Sequence, residues 1–249
     1  VNGQELLEKV RYAYSTFDSY TDVGTVESPG LPGPGLEFQT FFKGPSNFRF
    51  HWLSWHPYFG KTKPAHENTV WTDGKSFRSS YLGEITHDKS FSMMIAGATG
   101  ISRGSVHNIL NVLRPGSLGL SYNWDTMTDV RSSADETIND ADCFHIIGTT
   151  KTPEDTELWI EKTSFIIRRM EETIVITEEL GAKISSERQS VKNIETLTAA
   201  LKKAGISNDR IEQTLTHLAK DVTLSTYRHI YDYQTVTVNQ AVDASLFNS

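Results

Sequence analysis

The stretch FRFHWLSWHPYFG, Phe48–Gly60, gathers Phe48, Phe50, Trp52, Trp55, Tyr58 and Phe59 around His51 and His56. It is either the start of a metal or catalytic centre or one wall of an apolar container. Strand parity separates the two readings. Side chains alternate between faces along an extended chain, so Phe48, Phe50 and Trp52 share one face while Arg49 and His51 take the other. His51 and His56 lie an odd number of residues apart and fall on opposite faces unless the strand breaks before Pro57. A zinc site needs three or four converging ligands, each oriented by a partner. His66 is the nearest third candidate and follows the loop-like KTKPA. A metal-dependent hydrolase built on His51, His56 and His66 is therefore the weakest reading, and an apolar wall is expected.

Working outward, LEFQTFFKG (36–44) precedes this stretch, with Leu36, Phe38 and Phe42 on one face and Glu37, Gln39 and Lys43 on the other. The GPS turn reverses the chain between the two. ENTVWTDGKSFRSSYLG reads as a hairpin about Asp73-Gly74. Upstream, YTDVGTVES reads as a strand. QELLEKVRYAYSTF (4–17) sets Leu6, Leu7, Val10, Tyr14 and Phe17 on one helical stripe. PGLPGPG (29–35) suits neither helix nor strand interior.

Downstream, 88–114 turns helical. Phe91, Met94 and Ile95 make one short stripe, and Val106, Ile109, Leu110 and Leu113 another, stopped by Pro115-Gly116. Gly97, Gly100 and Gly104 keep the region broken. Strands are expected at about 126–138, 142–149, 156–162 and 165–178. Residues 186–220 carry a helical hairpin: Val191, Ile194, Leu197 and Leu201, a Gly205 stop, then a second helix through Ile211, Leu215 and Leu218, capped at Ser207 or Asn208. TYRHIYDYQTVTVN closes the chain as a strand, with Tyr227, His229, Tyr231 and Tyr233 on one face. The pattern predicts one α+β domain over 1–249: a meandering antiparallel sheet with helices grouped in three places.

The 249 residues have a net charge of −7 and no basic block. That excludes nucleic acid as an expected partner. Cys143 is the only cysteine, so neither an intrachain disulfide nor a Cys-based zinc site can form. It sits in the apolar run CFHII, where a buried, inert thiol is expected. No apolar run reaches the length of a membrane span. The opening VNGQELLEKV carries neither Met nor a signal peptide, which suggests processing and leaves export open.

Catalytic signatures are sparse. Asp73, Glu157, Glu161, Glu171 and Glu172 could serve in acid–base pairs, but nothing pins two of them to one cleft, and solvated sheet faces are expected. No G-x-S-x-G elbow occurs. GATGISRG lacks both a preceding strand and a Lys-Ser/Thr end, so it is not read as a phosphate loop.

Four segments in order resemble the LolA-like lipoprotein carriers. LEFQTFFKGPSNFRFHW resembles their strand–turn–strand, TVWTDGKSF their next hairpin, ELWIEKTSFIIRRME a strand pair, and YDYQTVTVNQAVDASLF their closing strand, with Asn239, Asp243 and Phe247 in its ending. Together they span roughly residues 36–247. The resemblance implies a strongly curved, unclosed half-barrel covered on its concave side by helices. It also implies a periplasmic carrier of acyl chains or lipoproteins, without catalysis or cofactor, and with a possible membrane-associated protein partner. Gly44 stands where such carriers commonly have an Arg that latches the lid, and the 186–220 hairpin is an addition to the pattern.

On this reading the acyl-facing residues are Phe38, Phe42, Phe50 and Trp52 from the sheet, with Phe91, Met94, Ile109 and Leu113 from the helices. Met93 and Met94 suit an adaptable lid. The alternative is a protein-binding or signalling module on the same fold that docks through the 186–220 hairpin.

Overall fold

A computed structural model of the chain describes residues 2–29, 35–56, 60–81, 83–115, 124–150, 155–175 and 226–247, with 198, 199 and 202. Helix α1 (Gly3–Ser15) starts at Asn2, whose Oδ1 accepts the Gln4 amide hydrogen at 3.0 Å. This satisfies one of the unpaired donors of the first turn. Its buried stripe is Leu6, Leu7, Val10 and Tyr14, the spacing read from the sequence.

The strands are β1 (Ser19–Glu27), β2 (Leu36–Lys43), β3 (Asn47–His56), β4 (Gly60–Asp73), β5 (Phe77–Tyr81), β6 (Glu84–Asp88), β7 (Thr128–Ser132), β8 (Glu136–Ile138), β9 (Ala141–Thr149), β10 (Asp155–Glu161), β11 (Ile167–Val175) and β12 (Thr226–Val238). They form one twelve-stranded sheet in the order β6-β5-β4-β3-β2-β1-β12-β11-β10-β9-β7, with β8 paired to β9. Its two ends do not meet, so the sheet is an open, curved half-barrel. The C-terminal strand returns to lie beside the first, pairing Tyr20 with Val238 and Val26 with Tyr231. Every pairing with a described register is antiparallel.

Between β6 and β7 run α2 (Phe91–Ile101), α3 (Ser105–Asn108) and α4 (Leu110–Leu113). The expected 106–113 stripe is buried but broken. The α3–α4 junction falls at Ile109, and Arg103 (φ 52) with Gly104 (φ 85) turns the chain between α2 and α3 in left-handed conformations. The expected strand at 126–138 is likewise two short pieces, because the 133–135 segment separates β7 from β8 and Asp129 has a positive φ of 53°.

The concave face carries the core. Phe48, Phe50 and Trp52 of β3 are fully buried, as are Leu6, Leu7, Val10, Met94, Ile95, Ile160 and Tyr233. The parity read from residues 48–52 holds. Arg49 points to the convex side, donates from Nη1 to the Leu246 carbonyl at 3.0 Å and lies over the Trp71 ring. The 3-10 helix Ala244–Phe247 therefore forms a small outer layer there, with Phe247 buried.

One glycine is required by a neighbour rather than by φ. A Cβ on Gly24 would collide with the Phe38 ring and the Asp232 carbonyl. Gly24 sits at the irregularity in the β1–β12 register and lets Phe38 cross β1 to reach Tyr233, with ring centroids 5.7 Å apart.

By internal contacts the chain comprises two compact units, Val1–Ile174 with Arg228–Ser249, and Val175–Tyr227. The expected hairpin at 186–220 falls within the second. Apart from 198, 199 and 202, it lies outside the described residues.

Candidate functional site

The residues expected to face an acyl chain come together. Phe38, Phe42, Phe50 and Trp52 from β2 and β3, and Phe91, Met94, Ile109 and Leu113 from α2 to α4, belong to one apolar cluster, none more than 9% exposed. Ring contacts occur both within the sheet and between sheet and lid. Phe38 stacks on Phe50 at 5.6 Å, Phe50 tilts on Trp52 at 5.5 Å, and Phe48 meets Phe91 edge-on at 6.0 Å. The lid helices fill the concavity with their own side chains. Met93 differs from Met94: it points outward and is 54% exposed. A shallow groove of about 600 Å³ opens elsewhere, on the outer side of α1 among Glu5, Glu8, Lys9, Tyr12, Ala13 and Phe165.

A polar seam interrupts the apolar face where the α2–α3 turn meets β1, β11 and β12. Arg103 donates from Nη1 to Ser28 Oγ at 3.0 Å, and Ser28 Oγ lies 2.6 Å from His229 Nδ1. Ser28 Oγ accepts from Arg103 and shares one further hydrogen bond with His229 Nδ1, whose direction follows the imidazole tautomer. Burial, helped by Arg103, lowers the His229 pKa to about 4, so the ring is neutral near pH 7. His107, also buried by the turn, is lowered to about 4 by desolvation. Ser28 and His229 have the spacing of a nucleophile and its base. A base held at about 4 is poorly matched to proton abstraction near neutrality; with Arg103 the pair links the α2–α3 turn to Ser28 and β12.

The second tie is Tyr231. Its hydroxyl lies 2.7 Å from the Arg103 carbonyl oxygen and 2.9 Å from Glu172 Oε2. One phenolic hydrogen cannot satisfy both acceptors. Burial raises the Glu172 pKa from 4.5 to about 7. A protonated Glu172 can donate to the Tyr231 oxygen while Tyr231 donates to the lid carbonyl. Gly104 closes the arrangement, since a Cβ there would stand 3.0 Å from the Tyr231 hydroxyl.

Asp22 is a further buried acid. It is 2% exposed, accepts from the Tyr20 hydroxyl at 2.8 Å and the Thr40 amide at 3.0 Å, and is raised by burial to about 6. The expectation that the strand acids are solvated fails at Glu171 and Glu172. Glu171 is 7% exposed and paired with Arg228 at 3.0 Å. Glu172 faces inward because it shares parity with the buried Met170 and pairs with the buried Thr156. That parity was the available signal, as was Asp22 lying two residues from Tyr20. Asp73 instead shapes its turn, accepting from the Ser76 and Lys75 amides, which hold it down to about 2.

The histidines do not converge. His51 lies 3.0 Å from Thr69 Oγ1 and 3.8 Å from Glu67, and burial lowers its pKa. His66 pairs with Ser54 in register, an odd step from His51 along β3, so it belongs to the other face. The His56 side chain is outside the described residues. No group of three or more potential metal ligands occurs among the described residues. Cys143 is fully buried, its thiol pushed up to about 11 mainly by desolvation.

No protein-family description and no curated protein matches the sequence. Solved structures do. The fold resembles LolA superfamily structures. One from Nitrosomonas europaea is 12% identical with a TM-score of 0.35, the match covering 99% of this chain and 97% of that one. The structure of MucB is 9% identical with a TM-score of 0.47, covering 99% of this chain but 62% of MucB, so this chain spans under two thirds of its length. A protein from Thermus thermophilus is 11% identical with a TM-score of 0.43, covering 98% and 91% of the two chains.

Proposed function

We propose that the protein is a non-catalytic carrier that holds acyl chains, of a lipid or a lipoprotein, between the concave sheet and the α2–α4 lid. The observation that carries the reading is the character of the lid. It brings Phe91, Met94, Ile109 and Leu113 into one apolar cluster with Phe38, Phe42, Phe50 and Trp52, in short helices broken at Arg103–Gly104 and at Ile109. Its side chains are the natural surrogate for a cargo. Each methylene moved from water into such a site gains about 0.8 kcal/mol, so a fully sheltered chain of roughly 14 carbons gains about 10 kcal/mol before ordering costs. Displacing Phe91, Met94, Ile109 and Leu113 offsets part of that gain, which keeps release possible. The setting proposed with this function is the periplasm.

The test is uptake of a fluorescent fatty acid at micromolar concentration, with native mass spectrometry of the purified protein. Saturable uptake, displaced by unlabelled fatty acid and weakened by Trp52→Ala, is expected. No uptake and no bound lipid would overturn the reading.

A second reading, docking of a protein partner through the 186–220 hairpin, draws on the compactness of Val175–Tyr227 as a separate unit. Deleting 186–220 should then abolish capture of that partner while the half-barrel still folds. Undiminished capture would count against it.

A further inference from the structure

The run from Lys89 to Trp124 contains no Asp or Glu, in a chain with 31 of them and a net charge of −7. The nearest acids, Asp88 and Asp125, stand immediately outside it. Within it lie Lys89, Arg103 and Arg114, and the helices α2, α3 and α4. The lid is thus a cationic island on an anionic protein.

Helix α2 adds a second, independent oddity: no residue from Phe91 to Ile101 is charged. Its inner side buries Phe91, Met94, Ile95 and Ala98. At helical spacing, Met93, Ala96, Gly97, Gly100 and Ile101 fall together on the opposite side, and all are exposed, Met93 at 54% and Ile101 at 50%. An ordinary surface helix carries charge on its outer face, and one apolar all round is built to be covered. Lys89 precedes this helix and is exposed, and Arg103 follows it. The long basic side chain of Lys89 at the start of this short apolar face can lay its stem along it and hold its charge outward. That is the composition of an element that lies in a bilayer interface rather than one that spans it. No helix among the described residues is long and apolar enough to cross a membrane.

We propose that the outer face of α2 docks on an anionic lipid surface, with Met93 and Ile101 entering the headgroup boundary and Lys89 facing lipid phosphates. An anionic bilayer repels the acid-rich remainder of the chain and attracts this one run, so charge alone orients the protein lid-first. The same uncharged face gives an acidic protein partner few polar contacts, whereas a bilayer asks only for apolar area and positive charge.

The experiment is co-sedimentation of the full chain with phosphatidylcholine vesicles, with and without about one third phosphatidylglycerol, at about 0.1 M salt, where screening acts over about 10 Å. Binding to the anionic vesicles, several-fold weaker to the neutral ones, is expected. Lys89→Glu, which reverses a charge near the surface, and the pair Met93→Ser with Ile101→Ser, which removes the inserted apolar area, should each weaken it about tenfold or more. The altered side chains are exposed, and unchanged thermal unfolding verifies the fold. If the Met93/Ile101 pair fails to fold, Lys89→Glu alone decides. Equal binding to neutral vesicles, no binding to either, or undiminished binding by the variants would overturn the proposal. Fatty-acid uptake by Lys89→Glu is expected to be unchanged, so a failure of docking is distinguishable from a failure of acyl-chain binding.

Discussion

Tyr231 joins Glu172 of the sheet to the carbonyl of Arg103 in the lid through a single hydroxyl, at 2.9 Å and 2.7 Å. The arrangement is satisfied only when Glu172 holds a proton. Ionised, Glu172 competes with the lid for the Tyr231 hydrogen and sits as a buried charge. In an opened lid, with water reaching it, Glu172 returns toward its ordinary value of 4.5, against about 7 when closed. The closed form therefore binds the proton more tightly. Its stability is full below about 4.5 and is lost as pH rises through about 7. The shift corresponds to at most about 3 kcal/mol. Asp22, raised to about 6, acts with the same sign. Amide hydrogen exchange of α2 should accelerate between pH 5 and about 7.5 beyond its intrinsic pH dependence. Pure base-catalysed exchange without added opening would refute this.

Glu172→Gln should remove the Glu172 part of that dependence. The Gln amide donates to the Tyr231 oxygen at every pH, as the protonated acid does, so the lid stays closed at pH 8. Fatty-acid uptake by this variant should be slower than by the parent at pH 8 and equal at pH 5. Tyr231→Phe should do the reverse, loosening the lid by about 1–2 kcal/mol at pH 5, read as faster α2 exchange. Equal uptake by Glu172→Gln and the parent at pH 8 would mean that the bond does not hold the lid.

The wall at 48–52 was legible because parity is a rigid property of an extended chain and both neighbouring strands obeyed it. Helix α1 was legible for the same reason, through its single stripe of Leu6, Leu7, Val10 and Tyr14. The polar seam was not, although its signals were present. Glu172 and Asp22 sit at inward positions, but charge ordinarily outweighs parity when a strand is read. What they hydrogen-bond to comes from elsewhere in the chain: Tyr231 for Glu172, and the Thr40 amide for Asp22. The Ser28–His229–Arg103 tie joins three separate segments, and no local pattern carries it. The tight turn at Arg103–Gly104 separates α2 from α3, and the Tyr231 hydroxyl constrains its shape.

Trp52 should be among the costliest single truncations. It is fully buried, between Phe50 and Tyr81, on the strand with the most extensive pairing. Trp52→Ala should cost about 3–5 kcal/mol, from lost transfer free energy and the cavity left behind. Urea unfolding followed by far-UV dichroism measures it. A loss under about 1 kcal/mol would mean that the concave face is loosely packed in solution, as an open cavity would be.

Gly24→Ala isolates the packing of a single ring. The added methyl overlaps the Phe38 ring and the Asp232 carbonyl. Asp232 is anchored in turn by Arg169, its Oδ1 2.6 Å from Nε, so the backbone there resists moving and Phe38 must give way. Overpacking of this kind costs about 1–3 kcal/mol. In the double variant Gly24→Ala with Phe38→Leu the clash with the ring is gone, and the cost of adding the methyl should fall well below that in the parent. A double-mutant cycle on urea midpoints tests it, and an additive cycle would show that the methyl strains the β1–β12 backbone instead of the ring. Displacing Phe38 also moves the sheet half of the candidate acyl site, so Gly24→Ala should weaken fatty-acid uptake in proportion, and Phe38→Leu on its own far less.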